Sequence, residues 1–324
     1  MTVSRSDLGI SHPATLTQSR PEQISRKMLP GKIAELLARH RVKDLTNQVD
    51  FHHDFRSYES ARGGSGSLYR GQLRDGRLVA LKSLHMPSWE ELESTGKCCK
   101  YAAEELYIQS KCTHPGVLEA LGFALHNGEI LLVFPWMPRG ALTTHLKNCS
   151  ARDKLQFCID LASAVEYLHS QGIVHGDIKG ENIILSETGI QLADFGSATL
   201  ASYLTLDFTR TSSRFSCTMR FVAPEVNRGT SETHTAESDV YSLGMTLLEI
   251  LTGELPYAGM SDMQAFTKAL DKITPSRPDR ILHECVDDSL WCLLLSCWYY
   301  DSNLRPTAKE VKQILAKIER DLIF

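Results

Sequence analysis

The feature that most constrains this chain is a change of texture near Gly140. Between about residues 55 and 134, glycines (Gly63, Gly64, Gly66, Gly71 and Gly76) punctuate short β-type runs such as LYRGQL and RLVALKSL. One helical stretch, 97–112, lies among them, and a further strand, 130–134, ends at Pro135. Beyond Gly140 the apolar spacing turns helical, over 152–171, 236–252, 261–271, 287–298 and 307–322. No internal repeat interrupts this order. A strand-rich part followed by a helix-rich part predicts an α+β chain of two lobes, with a cleft between them.

The 324 residues suit one large two-lobed domain, and with 42% hydrophobic and 23% charged residues most of the length can bury a core. Residues 1–30, rich in Ser, Thr, Gln and Pro, read as a flexible tail. Residues 31–54 read as a short helix and linker. Ile33, Leu36, Leu37, Val42 and Leu45 recur at helical spacing there, which predicts a helix over 32–49 that braces the main domain or meets a partner. A net charge of −4 gives no excess of cations to draw in nucleic acid. The richest apolar run, 241–251, is broken by Glu249 and falls short of the ~20 residues a membrane span needs. With no apolar leader and Thr as its second residue, the chain reads as soluble and cytoplasmic. The nine cysteines are scattered without zinc-like spacing and read as reduced thiols.

The residues that carry chemistry lie on both sides of the texture change. Glycines at 63, 64 and 66, between two strands, let a backbone approach phosphate groups, although such clusters are also ordinary turns. Lys82 follows on an apolar strand, where an ammonium needs an anion, and Glu105 on the next helix is a natural one. The block His175-Gly176-Asp177-Ile178-Lys179-Gly180-Glu181-Asn182 sets a carboxylate, an ammonium and a carboxamide in one loop. Asp194-Phe195-Gly196 follows a short hairpin. Two carboxylates and an Asn suit Mg2+ binding and the orienting of a hydroxyl for phosphoryl transfer.

Together these motifs resemble the eukaryotic protein kinase family: a Gly-rich loop, a V-A-x-K strand, an H-x-D-x-K-x-x-N loop, D-F-G, and A-P-E at Ala223-Pro224-Glu225. Ser238–Gly244, Cys297-Trp298 and Arg305-Pro306 extend the resemblance, which covers residues 55–322. The resemblance implies a bilobal fold with an N-lobe at about 55–134, a hinge at 135–140 and a C-lobe at 141–322. It implies ATP and Mg2+ as cofactors and protein substrates as partners. Lys82 would grip the nucleotide phosphates and pair with Glu105, with Glu104 the fallback. Asp177 would orient the substrate hydroxyl or accept its proton, Lys179 would neutralise the moving phosphoryl, and Asn182 and Asp194 would hold the metal. Gly63, Gly64, Gly66, Leu68, Ala80, Phe134, Pro135, Met137 and Ile184 would surround the nucleotide. Asp239 would anchor the catalytic loop, and Glu225 would pair with Arg305. Lys179 and Thr218 are similar to serine/threonine-specific members, and the hinge phrase 132–140 is similar to the tyrosine-kinase-like branch.

The sequence departs from the family pattern at four places. Ala61 stands for the first loop glycine. Gly176 replaces the arginine that reads an activation-segment phosphate, which predicts an enzyme not dependent on such a phosphate, although hydroxyls crowd residues 205–218. Gln109 stands where an apolar residue is usual, at about 1–3 kcal/mol if left unpaired. Cys217 replaces a glycine beside Thr218. Two other readings stay open: a pseudokinase acting as a nucleotide-binding interaction module, and a small-molecule phosphotransferase with a His-Gly-Asp loop.

Overall fold

The computed structural model describes residues 22–51, 55–63, 66–85, 94–201, 206–209, 219–229 and 233–322. The chain opens with a short strand, β1 (Glu22–Ile24), and a helix, α1 (Pro30–Arg39). A sheet then forms from β2 (Glu59–Gly63), β3 (Gly66–Gln72) and β4 (Leu78–Leu84). Helix α2 (Ser94–Gln109) follows, and β5 (Gly122–His126) and β6 (Glu129–Pro135) complete the sheet. Its five strands run antiparallel in the order β2-β3-β4-β6-β5.

Side chains on a strand alternate between faces, and this sheet has a different cover on each. Val79, Leu81, Leu131 and Val133 share one apolar cluster with Leu45, Val49 and Phe55. Ala80, Leu84, Leu132 and Phe134 join another, with Ala102, Ala103 and Leu106 of α2. Lys82 lies between Ala80 and Leu84 on β4, on the α2 side of the sheet.

The second lobe is built of helices. Helix α3 (Ala151–Ser170) leads to β7 (Ile173–Val174), a hairpin of β8 (Ile183–Leu185) and β9 (Ile190–Leu192), and the short strands β10 (Thr199–Leu200) and β11 (Leu206–Phe208). Helices α4 (Pro224–Asn227), α5 (Ala236–Thr252), α6 (Asp262–Leu270), α7 (Glu284–Cys297) and α8 (Ala308–Leu322) follow. Reciprocal caps start α3 (Ser150 with Asp153) and α5 (Thr235 with Ser238), and Gly253, at φ 79°, ends α5 in the left-handed region. Residues 238–251 of α5 are buried throughout, so this helix is the axis of the lobe. Among the described residues no helix is long and apolar enough to cross a membrane.

The two-lobed α+β architecture is the one the texture change predicts, and the helices fall close to their expected ranges. The N-terminal part is different. Residues 22–30 are not tail: Glu22–Ile24 pairs in parallel with β11, over 180 residues later. The helix expected over 32–49 stops at Arg39, and Arg41 adopts φ 68°. Val42, Leu45 and Val49 are buried, but on an irregular segment with a turn over 46–48 that bridges to the sheet at Asp44–Phe123 and Val49–Leu73. The apolar spacing of Val42 and Leu45 was compatible with a helix. The Asp44 side chain turns the chain instead by accepting from Thr46 N at 2.9 Å and Thr46 Oγ1 at 2.6 Å.

Candidate active site

The predicted site residues come together where the sheet lobe meets the loops above α5. Lys82 Nζ donates to Glu105 Oε1 at 2.6 Å and to Asp194 Oδ1 at 2.8 Å. Glu105, not its neighbour Glu104, is thus the helix partner. Burial pulls the Lys82 ammonium down, but the adjacent carboxylates of Asp194 and Glu105 outweigh it and raise its affinity for the proton. Burial likewise disfavours an ionised Asp194, yet the Lys82 charge holds its carboxyl well below the usual carboxylate range. Asp194 stands at φ 60°, a left-handed conformation uncommon for a residue with a side chain, and its Oδ1 caps the next turn through Gly196 N at 3.2 Å. Phe195 is buried after it, in edge contact with His175 at 4.9 Å between ring centroids, and shares an apolar cluster with Ile108 of α2.

The 175–182 loop forms a second group, joined to the first where Ala193 N donates to the Asn182 carbonyl at 2.8 Å. Asp177 Oδ2 accepts from Lys179 Nζ at 2.9 Å and from Asn182 Nδ2 at 3.0 Å. Asn182 Nδ2 also donates to the Asp177 carbonyl at 2.8 Å, which ties the loop's ends together. The loop is held from beneath by Asp239 of α5. Its Oδ2 accepts from His175 N at 2.8 Å and from His169 Nε2 at 2.9 Å, and its Oδ1 accepts from Gly176 N at 2.8 Å. Burial opposes its charge, but the bond from His169 lowers its pKa overall, so Asp239 is ionised inside the lobe. Burial lowers the His175 pKa and leaves a neutral ring whose Nε2 meets the Ala193 carbonyl at 3.1 Å. Arg305 clamps Glu225 with two bonds, at 2.6 and 2.8 Å, as the resemblance implies.

The residues expected around a nucleotide base also converge. Ala80 and Phe134 belong to one apolar cluster, and Leu68, Met137 and Ile184 pack against it from β3, the hinge and β8. Pro135 ends β6, and the hinge turns by Gly140 N donating to the Met137 carbonyl at 3.1 Å. Gly63 and Gly66 face one another across β2 and β3, while Gly64 lies outside the described residues. At Gly66 the backbone itself requires glycine, because a Cβ would collide with the Ser83 carbonyl of β4. That clash accounts for glycine at this position without any contact to phosphate.

The departures from the family pattern also have local causes. Gly176 adopts φ 77°, and a Cβ there would lie 2.8 Å from the Ser197 carbonyl, so this backbone is shaped for glycine rather than merely lacking an arginine. Gln109 is half satisfied: its Nε2 donates to the Leu118 carbonyl at 2.7 Å, and its buried Oε1 has no partner among the described residues. Ala61 pairs with Leu68 on the edge strand. Cys217 and Thr218 lie outside the described residues. Arg220, just beyond the hydroxyl-rich stretch, is committed to Asp262 at 2.5 Å and to the carbonyls of Pro256 and Tyr257.

Sequence reasoning assigned no role to His169, Lys100 or Glu249. Only Glu249 carried a signal, as a carboxylate interrupting an apolar helix. It is buried and its Oε2 accepts from Gly180 N at 3.1 Å, so α5 supports the 175–182 loop at both ends.

Residues 61–315 match the protein kinase domain family. The chain belongs to that family, and its bilobal α+β fold is the family's. It is 28% identical, over 80% of its length, to the serine/threonine/tyrosine-protein kinase HT1 of Arabidopsis thaliana, of which it covers 65%. It is 32% identical over 69% of its length to the wall-associated receptor kinase-like 17 of the same plant, covering 28% of that protein. To the calmodulin-binding receptor-like cytoplasmic kinase 2 it is 29% identical over 82% of its length, covering 68% of it. The tyrosine-kinase-like branch indicated by the hinge phrase fits these receptor-like relatives.

Proposed function

We propose that this chain is an ATP-dependent protein serine/threonine kinase that transfers the γ-phosphoryl group of Mg-ATP to Ser/Thr hydroxyls of protein substrates. The observation that carries the reading is Lys82 Nζ bound at once to Glu105 and Asp194, with the Asp177–Lys179–Asn182 group tied to the residue before Asp194 by the bond from Ala193 N to the Asn182 carbonyl at 2.8 Å. Phosphoryl transfer needs little covalent help from a protein; it needs positioning and neutralised charge. Lys82, steered by Glu105, presents its ammonium to the phosphates. Asp177 accepts or orients the substrate hydroxyl's proton, and Lys179 lies 2.9 Å from Asp177 Oδ2, where it offsets charge on the transferring group.

The donor set suits Mg2+. Asp194 is held ionised by Lys82, and Asn182, whose Nδ2 is spent on Asp177, keeps its Oδ1 for a cation. Both are hard oxygen donors, and Mg2+ typically takes one or two such ligands and completes its shell with water and phosphate oxygens. When bound, the metal would neutralise phosphate charge. Leu68, Ala80, Phe134, Met137 and Ile184 would exclude water around the base, with hinge atoms near Pro135 and Met137 supplying its polar contacts and Gly63, Gly64 and Gly66 closing over the phosphates.

The test is phosphate incorporation from Mg-ATP into a generic basic protein, with small-molecule acceptors assayed in parallel. Wild-type protein should label Ser and Thr of the protein substrate. Asp177→Ala, Asp194→Ala and Lys82→Met should each lose at least about a thousandfold in turnover, ~4 kcal/mol of barrier, while remaining folded. Nucleotide binding without transfer would mean a pseudokinase, and preference for a small-molecule acceptor would mean the other phosphotransferase class.

A further inference from the structure

The segment before the kinase domain and the segment after Asp194 meet on the helix that carries Glu105. Strand β1 runs parallel to β11, with Glu22, Gln23 and Ile24 opposite Leu206, Asp207 and Phe208. Thr209 N donates to the Ile24 carbonyl at 3.0 Å. Ile24, Ile33, Leu37 and Leu206 are fully buried in one cluster with Ala102, Leu106 and Tyr107 of α2. Phe208 meets the Tyr107 ring at 5.9 Å, and a Cβ at Gly96 of α2 would run into the Arg26 carbonyl. Glu22 ties the strand back to α1 through Arg39 at 2.5 Å and His40 at 3.1 Å.

At the centre of this junction is Lys100. It lies on α2, five residues before Glu105, its side chain is 1% exposed, and its Nζ donates to the Thr209 carbonyl. Burying an ammonium is costly, and an apolar side chain could fill the same space. What the ammonium adds is a directed bond from α2 to the chain carrying Thr209. The parallel strand then fixes that chain from its other side.

We propose that Lys100 and the strap Glu22–Arg39 are positioning elements for catalysis: they clamp residues 206–209 to α2 and so keep Glu105 on Lys82 without an activation-segment phosphate. The inference rests on the kinase reading above and supplies what Gly176 removes. Where an arginine–phosphate pair would order an activation segment, here a strand and a buried lysine hold residues 206–209. Neither touches nucleotide or substrate, so their effect should reach turnover through the Lys82–Glu105 pair.

The test uses the full chain carrying Ile24→Asp, Lys100→Met or Lys100→Arg. Hydrogen–deuterium exchange is measured on α2, on 206–209 and on α5. The kcat and the KM for the protein substrate are measured well below each variant's melting temperature. Ile24→Asp and Lys100→Met should speed exchange at 206–209 and in α2, leave α5 unchanged, and lower kcat about tenfold with KM within about twofold. Lys100→Arg, which keeps charge and donors, should recover at least part of kcat. Faster exchange at 206–209 with kcat within twofold of wild type would overturn the proposal, because the clamp would then position nothing. Unchanged exchange in Ile24→Asp would overturn it as well, since the two segments would not be coupled. If wild type itself transfers no phosphate, the kinase reading fails. The clamp is then judged by exchange alone, where α2 and 206–209 loosening together supports it and independent behaviour refutes it.

Discussion

The site is held by two charge clusters built on opposite plans. Around Asp239, a carboxylate inside the helical lobe takes backbone N–H bonds from His175 and Gly176 and a side-chain bond from His169, all within that lobe. Around Lys82, the charges come from three separate elements: β4, α2 and the turn at Asp194. The first cluster follows from where α5 lies, since the chain it holds is continuous with the lobe's core. The second exists only while α2 and the 194–196 turn stand correctly against the sheet. One cluster is architecture, and the other is an alignment that the rest of the molecule must maintain.

That contrast predicts different failures. The largest effect is expected from Asp239→Ala, which leaves the His175 and Gly176 amides buried without their acceptor. The unfolding free energy should fall by about 3–5 kcal/mol, read as a lower denaturant midpoint at unchanged slope. A loss below about 1 kcal/mol would mean the loop holds its own shape. Glu105→Gln breaks the other cluster while Lys82 retains Asp194. Turnover is expected to fall about a hundredfold, ~2.7 kcal/mol of barrier, with a stability change of no more than about 1 kcal/mol. If Glu105→Gln melts as Asp239→Ala does, the distinction between the clusters is wrong.

A sharper comparison lies within α5 itself. Asp239 is held ionised, but burial pushes the Glu249 carboxyl up to about 7, with one bond from Gly180 N and the charge of Glu181 nearby. The folded protein therefore keeps the Glu249 proton to higher pH than the unfolded chain does. Its stabilising contribution is present below about pH 4.5 and is lost as pH rises through about 7. Glu249→Gln retains an acceptor for Gly180 without the charge. Relative to wild type it should gain about 1–3 kcal/mol between pH 5 and pH 8, seen as diverging melting temperatures. Parallel pH profiles would show that Glu249 is ionised at little cost. The smallest effect concerns Gln109, behind Phe195. Gln109→Leu removes the unpartnered Oε1 but strands the Leu118 carbonyl, so stability should change by less than about 1 kcal/mol. A larger gain would show that the polar side chain weakens the contact between lobes.

The two lobes, the helices of the second lobe and the clustering of the candidate site residues are legible in the chain before any fold. Asp177, Lys179 and Asn182 lie within one short loop, and α5 declares itself by an apolar run that Glu249 interrupts; such signals are local, so no fold is needed to see them. A strand lysine needs an anion, and the next helix offers Glu104 and Glu105; the resemblance to the family favours Glu105, to which the 2.6 Å bond falls. The helix of the strap was legible in part, but its strand was not. Glu-Gln-Ile has no periodicity, and it becomes a strand because β11, encoded over 180 residues later, presents an open edge to it. The burial of Lys100, the bond from Gln109 to Leu118 and the His169 support of Asp239 likewise depend on chain brought in from elsewhere. Residues 42–49 carry a spacing that fits a helix or a buried irregular segment equally well, and the turn at Asp44 together with the sheet face beneath decides between them. Which charges line a site is written in residue types, but whether they meet depends on packing between segments distant in sequence, where the energy of contact belongs to pairs and to neither segment alone.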